Sequence, residues 1–357
     1  MAASQPSVTF DTPKSVKALA AELPSHDNSI NPIYTFQETP NIVNDEAISA
    51  EDGTLPTIDF SLLISTNPEE RSKAIQDLGR ACQDWGFFML INHGVPESLF
   101  KAIMDGSAEF FDLPEEEKMQ FKGKGILDPI NYGSLRVGNV SFWRDFLKVF
   151  LHPQFHSINK PPGFSETSFE FGKELRRIVS EILRGISKSL GLEEDYLHKE
   201  LNLENGQQIM AVNLYPPCPK PELALGLPPH SDYGLLNILI TNGIAGLQVK
   251  HQGKWVKINP LPNSITVNIG DHIEIVSNGK YKSVMHRAVV NKENTRMSIA
   301  TGHGPALDAV VSPAAPLLDP VNNPPIYKSL TYREYVELLR YGKLADGDKA
   351  FLNQLRI

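Results

Sequence analysis

Cysteine is almost missing from the chain: Cys82 and Cys218 are the only two in 357 residues. A disulfide framework is therefore excluded, and so little cysteine is the habit of proteins that fold in a reducing compartment. No run of 18 apolar residues occurs, so no membrane-spanning helix is expected. Basic residues are outnumbered, 34 Lys and Arg against 42 Asp and Glu. A chain with a formal charge of -8 lacks the basic face that phosphate backbones require, which argues against nucleic acid as a partner. Met1 to Ala21 contains Asp11, no arginine and no apolar stretch, unlike a secretory or transit peptide. A cytoplasmic protein is the expectation. What is present in quantity is ordinary core material, with 41% apolar and 21% charged residues.

Along the chain, residues 1–54 carry Pro24, Pro32 and Pro40 with no sustained period. They read as a loosely attached arm with one short helix around Lys14 to Leu23. Regular structure starts with a strand signal at Leu55–Phe60. Asn67-Pro68-Glu69-Glu70 then opens a helix, with an N-cap and a proline at the first helical position. Ala74, Ile75, Leu78, Cys82 and Trp85 recur on one face of it. Phe87–Ile91 is a fully apolar strand, and a helix bearing Leu99, Ile103 and Phe110 follows, ended by Pro114. Gly123 to Asn139 is glycine-rich and reads as loop. Ser168–Leu190 is the longest helical pattern, with Phe171, Leu175, Ile178, Ile182, Ile186 and Leu190 on one face and charges on the other.

From Gln208 the pattern changes to short apolar runs punctuated by Gly, Pro and Asn, the habit of β-sandwiches and barrels. Strands are expected at Ile209–Tyr215, Leu235–Ile240, Leu247–Lys250, Lys254–Ile258, Ser264–Ile269, Ile273–Val276, Val284–Val290 and Arg296–Ala300. Eight strands suit a jelly roll. The fold class is thus mainly β with flanking helices (α+β): a jelly-roll core over 201–310, a helical buttress over 55–200, and a helical segment over 311–357 opened by the capping box Thr331-x-x-Glu334.

Within the β-rich part, residues two apart on a strand share a face. Three such pairs, Asn213-x-Tyr215, His230-x-Asp232 and Arg296-x-Ser298, accompany the single residue His286. Two histidines and a carboxylate are the ligand set of the facial triad of non-haem iron oxygenases. The H-x-D pattern alone is weak, since about one chance match is expected among 10 histidines and 42 acids. A competitor stands nearby at His272-x-Glu274. His230-x-Asp232 is preferred because it follows Pro228-Pro229 and precedes an apolar strand, placing it at a barrel mouth. An arginine directed into such a barrel must find an anion, and the Arg296 fork matches a carboxylate, with the Ser298 and Tyr215 hydroxyls beside it.

Many motifs agree in order with one family. Asn213-Leu-Tyr-Pro-Pro-Cys-Pro, Leu227-Pro-Pro-His-Ser-Asp, Gly246-Leu-Gln-Val, Gly253-Lys-Trp-Val, Asn268-Ile-Gly-Asp, Ser277-Asn-Gly-Lys-Tyr-Lys-Ser-Val-Met-His-Arg and Arg296-Met-Ser resemble the plant 2-oxoglutarate/Fe(II)-dependent dioxygenases. So do Trp85-Gly-Phe-Phe, Asn92-His-Gly-Val and Trp143-Arg-Asp-Phe-Leu, and the likeness spans about residues 55 to 345. The text from Pro217 to Asp232 and Gly302 to Pro305 most resembles the subgroup that contains the lateral-branching oxidoreductase of strigolactone biosynthesis.

The resemblance implies a double-stranded β-helix with Fe(II) on His230, Asp232 and His286. It implies 2-oxoglutarate on Arg296, Ser298 and Tyr215 with Asn213 nearby, O2 as oxidant and ascorbate as reductant. His93 and His272 would be structural. A small-molecule substrate is implied too; the charge and the lack of a long apolar run leave no nucleic acid or membrane partner expected, and the oligomeric state is not read from the sequence, a monomer being the expectation. The reaction would hydroxylate or O-demethylate a small, largely apolar plant metabolite or hormone precursor. The alternatives are an oxidase of the same fold that does not use 2-oxoglutarate, and a non-catalytic binding barrel, whose mark would be a broken triad. Relatives acting on flavonoids carry an aromatic residue and a glutamate where this chain has Gly302 and Gly304. A roomier pocket is therefore expected, with His303, Tyr132, Phe142, Ala211 and Tyr335 as candidate substrate contacts.

Overall fold

The longest helix, Phe164–Ser189, packs against the strands of one sheet with a face on which Phe171, Leu175, Ile178, Ile182 and Ile186 are all fully buried. Its start is four residues earlier than the apolar period predicts. A computed structural model supplies these coordinates and describes residues 8–9, 14–22, 29–35, 55–123, 125, 127–341 and 350–357. The strands in chain order are β1 (Val8–Thr9), β2 (Thr57–Asp59), β3 (Phe87–Ile91), β4 (Ile130–Val137), β5 (Val140–His152), β6 (Gln208–Tyr215), β7 (Leu225–His230), β8 (Leu236–Thr241), β9 (Leu247–His251), β10 (Lys254–Ile258), β11 (Ile265–Ile269), β12 (His286–Val289), β13 (Arg296–His303), β14 (Val310–Val311) and β15 (Leu330–Thr331). Nine of them form a sheet in the order β1-β4-β5-β6-β13-β8-β11-β3-β2, and β10-β9-β12-β7 form a second sheet. The two sheets enclose a cavity of about 350 Å³ lined from β6, β8 and β13 on one side and β7, β9 and β12 on the other. This is the α+β jelly-roll architecture that the strand pattern implies.

The helices at Pro68–Asp84 and Glu97–Asp112 flank the long helix. Asn67 caps the first by accepting from the Glu69 N–H. The capping box opens the Tyr332–Tyr341 helix: Glu334 accepts from the Thr331 N–H at 2.7 Å and Thr331 Oγ1 from the Glu334 N–H at 3.2 Å.

Four readings of the sequence need correction. Gly123 to Asn139 is not loop throughout, since β4 and the start of the β4–β5 hairpin lie within it. Ile273–Val276 belongs to a helix, Asp271–Val276, rather than to a strand. A strand not foreseen, β7, runs through Pro228 and Pro229 and ends on His230. It survives the prolines because it is an edge strand, where missing donors face no neighbour. The described part of the N-terminal arm is also docked rather than loose. Val16 N and Lys17 N donate to the two oxygens of the buried Asp145 carboxylate, both at 2.8 Å. Tyr34 packs edge-on against Trp143. The rest of residues 1–54, apart from 8–9, lies outside the described residues.

Candidate metal centre and cosubstrate wall

His286 and His230 are direct cross-strand partners of β12 and β7, so their imidazoles lie on one face with centroids 4.2 Å apart. Asp232 stands in the bend just past β7. Its Oδ1 is 3.5 Å from His230 Nε2 and its Oδ2 is 3.5 Å from His286 Nε2. Among the described residues this is the group of His, Cys, Asp or Glu side chains able to hold a metal ion, with its ligand atoms within 4.8 Å of one another.

The chemistry of the donors fits a divalent first-row cation. His230 Nδ1 donates to the Pro228 carbonyl at 2.8 Å and His286 Nδ1 to the Val284 carbonyl at 3.1 Å. Each bond fixes the tautomer that leaves an Nε2 lone pair directed at the gap. Burial, and then neighbouring His230, push the His286 pKa down to about 4, which keeps the ring neutral as a ligand must be. Burial alone would raise the Asp232 carboxyl, but His286, His230 and Asn268 together hold it well below the usual carboxylate range. Two amides clamp its Oδ2, Asn237 Nδ2 at 2.7 Å and Asn268 Nδ2 at 2.8 Å. Two imidazoles and one ionised carboxylate on a single side would leave the remaining positions of a bound ion open to the cavity.

Arg296 and Ser298 on β13 lie opposite Tyr215 and Asn213 on β6, and all four line the cavity. The Arg296 guanidinium sits 4.9 Å over the Tyr215 ring and is 2% exposed, yet its Nε and Nη1 have no hydrogen-bond partner. An unsatisfied buried guanidinium is costly, so this cradle suits a carboxylate ligand. Gly246 is part of the same construction, because a Cβ there would fall 2.5 Å from Arg296 Cδ. Asn213 is already committed: its Oδ1 accepts from Arg144 Nη1 at 2.9 Å and its Nδ2 donates to the Ala211 carbonyl at 3.2 Å.

The other sequence candidates divide. Ala211 lines the cavity. His303 touches its rim, but the imidazole lies on the opposite sheet face, where Nε2 meets Gln208 Nε2 at 3.0 Å under the long helix. Tyr132 is packed among Phe110 and Phe111 and donates to Glu115. Phe142 is in a cluster with Leu135, Val137 and Leu225. Tyr335 is fully buried and donates to Asp271 Oδ2 at 2.6 Å. None of these three lines the cavity. Sequence reasoning missed Tyr332, Tyr233, Asn237, Asn268 and Arg144, which do line it. Strand alternation offered a signal for Asn237 and Asn268 only. His93 accepts from the Val95 N–H and His272 from the Gly234 N–H, and neither belongs to the His230–Asp232–His286 group.

Residues 206–305 match the family model of the 2OG-Fe(II) oxygenase superfamily, and residues 55–165 match that of the N-terminal region of the non-haem dioxygenase in morphine synthesis. 2-Oxoglutarate-dependent dioxygenase 19 of Oryza sativa subsp. japonica is 43% identical over 328 residues, covering 89% of this chain and 96% of that protein. Thebaine 6-O-demethylase of Papaver somniferum is 36% identical over 354 residues, covering 96% and 94%. The crystal structure of JOX2 in complex with 2OG, Fe and JA superposes with a TM-score of 0.85 at 31% identity, covering 97% of this chain and 98% of that one. No helix among the described residues is long and apolar enough to cross a membrane. With its triad of donors and its carboxylate cradle, the chain belongs to the 2-oxoglutarate- and Fe(II)-dependent oxygenase superfamily and is a dioxygenase of that kind.

Proposed function

We propose that this enzyme hydroxylates, or O-demethylates, a small and largely apolar plant specialised metabolite or hormone precursor. His230, Asp232 and His286 hold the iron in this reading, and Arg296 with Ser298 and Tyr215 holds 2-oxoglutarate. The observation that carries it is the pairing of two unsatisfied sites in one cavity: three metal-ligand atoms within 4.8 Å of one another, and a buried guanidinium whose Nε and Nη1 have no hydrogen-bond partner. Iron and 2-oxoglutarate, when bound, supply oxidative decarboxylation by O2 to succinate and CO2, one oxygen atom entering succinate and the other the substrate C–H bond.

The residues of this chain orient and insulate. Asn237 and Asn268 hold the Asp232 carboxylate at one angle, and the Pro228 and Val284 carbonyls hold the two rings. Arg296 takes the far carboxylate of the 2-oxo acid in its fork, with the Tyr215 ring beneath it. Phe87, Leu227, Leu239, Leu247, Ala288 and Ala300 give the cavity apolar walls that exclude water and favour an apolar substrate body. Where the oxidised carbon is the methyl of a methoxy group, the hydroxylated product is a hemiacetal that releases formaldehyde and leaves the alcohol, which makes hydroxylation and O-demethylation two outcomes of one chemistry.

The test uses carboxyl-labelled 2-oxoglutarate, Fe(II)-loaded enzyme and a plant metabolite extract. Labelled CO2 release that rises with the extract, together with mass gains of 16 or losses of 14, is the expected result. Substrate oxidation without CO2 release would instead identify an oxidase that dispenses with 2-oxoglutarate. Arg296→Ala should raise the KM for 2-oxoglutarate roughly a hundredfold, as expected when a buried charged partner is removed, and that for the organic substrate far less.

A further inference from the structure

The two glycines that stand where the resemblance places an aromatic residue and a glutamate in flavonoid-acting relatives do not both leave space. A Cβ on Gly302 would meet only Asn237 Oδ1, 4.0 Å away, so that position is open. A Cβ on Gly304 would fall inside the Tyr332 phenol, 2.6 Å from Cζ and 2.8 Å from Cε1. Tyr332 opens the C-terminal helix Tyr332–Tyr341, is 2% exposed and lines the cavity. An aromatic side chain from a different element of the chain occupies the space beside Gly304, so the roomier pocket expected from the two glycines is half filled.

The ring is held from several directions. His272 packs edge-on against it at 4.9 Å, and Gly304 backs it. Its helix is anchored one turn on, where Tyr335 donates to Asp271 Oδ2, and at its start by the Thr331–Glu334 capping box. The hydroxyl also lies against Gly304, but it makes no hydrogen bond among the described residues and is not one of the fully enclosed polar atoms. Burial and nearby Tyr233 raise its pKa well above the usual phenol range, so it stays a donor at every working pH. Its place along the sheet matters. Gly302 is the register partner of Asn237, whose amide clamps Asp232, so this end of β13 lies beside the metal ligands.

Taking the function proposed above as given, we infer that Tyr332 is a specificity-determining residue. Its ring forms a substrate wall beside Gly304, and its hydroxyl hydrogen-bonds a polar oxygen or nitrogen of the organic substrate close to the carbon that reacts. The substrate class narrows accordingly to an apolar skeleton carrying an acceptor near the site of oxidation, rather than a pure hydrocarbon.

Two measurements test this. Fe(II)-loaded enzyme with 2-oxoglutarate is given a plant methanol extract. The component consumed is identified by mass spectrometry, purified and titrated. Tyr332→Phe should raise the ratio of its KM to that for 2-oxoglutarate roughly three- to tenfold, the worth of one hydrogen bond. The second measurement needs no substrate. Gly304→Ala should lower the melting temperature by several degrees in the wild-type background and by much less beside Tyr332→Ala, because only the phenol contests the space. An unchanged KM ratio in Tyr332→Phe, or an equal thermal loss in both backgrounds, overturns the inference. Wild-type enzyme that makes no succinate from 2-oxoglutarate would refute the proposed function instead, a failure visible before either variant is made.

Discussion

His230-x-Asp232 and His272-x-Glu274 are the same three-residue pattern, and the fold puts them to opposite uses. The first straddles the end of an edge strand, where residues two apart share a face, and its imidazole and carboxylate converge to 3.5 Å with His286 opposite. The second lies on the first turn of the Asp271–Val276 helix, where residues two apart diverge by about 200°. His272 then turns to the Tyr332 and Tyr335 rings. Glu274 turns the other way and accepts from Tyr327 Oη and the Ser283 N–H, both at 2.8 Å. Identical spacing makes a ligand pair only when the backbone period is two.

The comparison breaks most sharply at the metal. Asp232→Ala or His230→Ala should abolish iron binding at micromolar metal and cut succinate formation on the order of a thousandfold or more. His272→Gln should retain the iron. Metal content by elemental analysis, alongside turnover, decides, and full iron occupancy in Asp232→Ala would end the assignment. Chelation of the wild type should reproduce the loss, with Fe(II) restoring it. One step out, Asn237→Ala and Asn268→Ala each free one hold on Asp232 Oδ2. Each should weaken iron affinity about ten- to a hundredfold, a readout that a merely structural amide would leave unmoved.

How much of this could be read from residues alone follows from where each group finds its partner. Helices with a single apolar face, such as Phe164–Ser189, were legible because their burial repeats locally. So were the triad and the Arg296–Ser298 pair, whose chemistry is unusual inside apolar strands. The β4–β5 hairpin was not. Asn131, Ser134 and Asp145 are buried polar residues there, and their partners, among them Gly123 N for Asn131 and Val16 N for Asp145, depend on chain brought alongside by the fold. Ile273–Val276 is apolar enough for a strand, but the helix it joins closes through Gly270 carbonyl bonds to Ile273 and Glu274. The last helix carries no local mark of which face meets the cavity, so the sequence points to Tyr335 where the structure places Tyr332. Only docking of the last helix, through Asp271, settles that.

On the buried helix the comparison is one of stability. Glu274 is fully buried, with Arg356 3.7 Å from Oε1. Glu274→Ala leaves the Tyr327 hydroxyl and the Ser283 N–H without their acceptor and should cost about 3 kcal/mol, seen in denaturant or thermal unfolding. Iron content per folded molecule should not change. If iron and stability fell together, the two carboxylates would not be separable as drawn.

The smallest effect concerns His272 and acid. Burial pushes its pKa down to about 3, against an ordinary value of 6.5. Above pH 6.5 the ring is neutral in both folded and unfolded chains and costs nothing. As the pH falls below 6.5 the unfolded chain takes up a proton that the folded chain refuses until about pH 3. Stability present above pH 6.5 is therefore lost on acidification, by about 2 kcal/mol at pH 5 for this one group. In His272→Gln the decline between pH 6.5 and 5 should be shallower by that amount, even if the variant is less stable throughout. Parallel pH profiles for wild type and variant would mean that the imidazole is hydrated and protonates in place. That would loosen the packing that separates this histidine from its ligand counterpart.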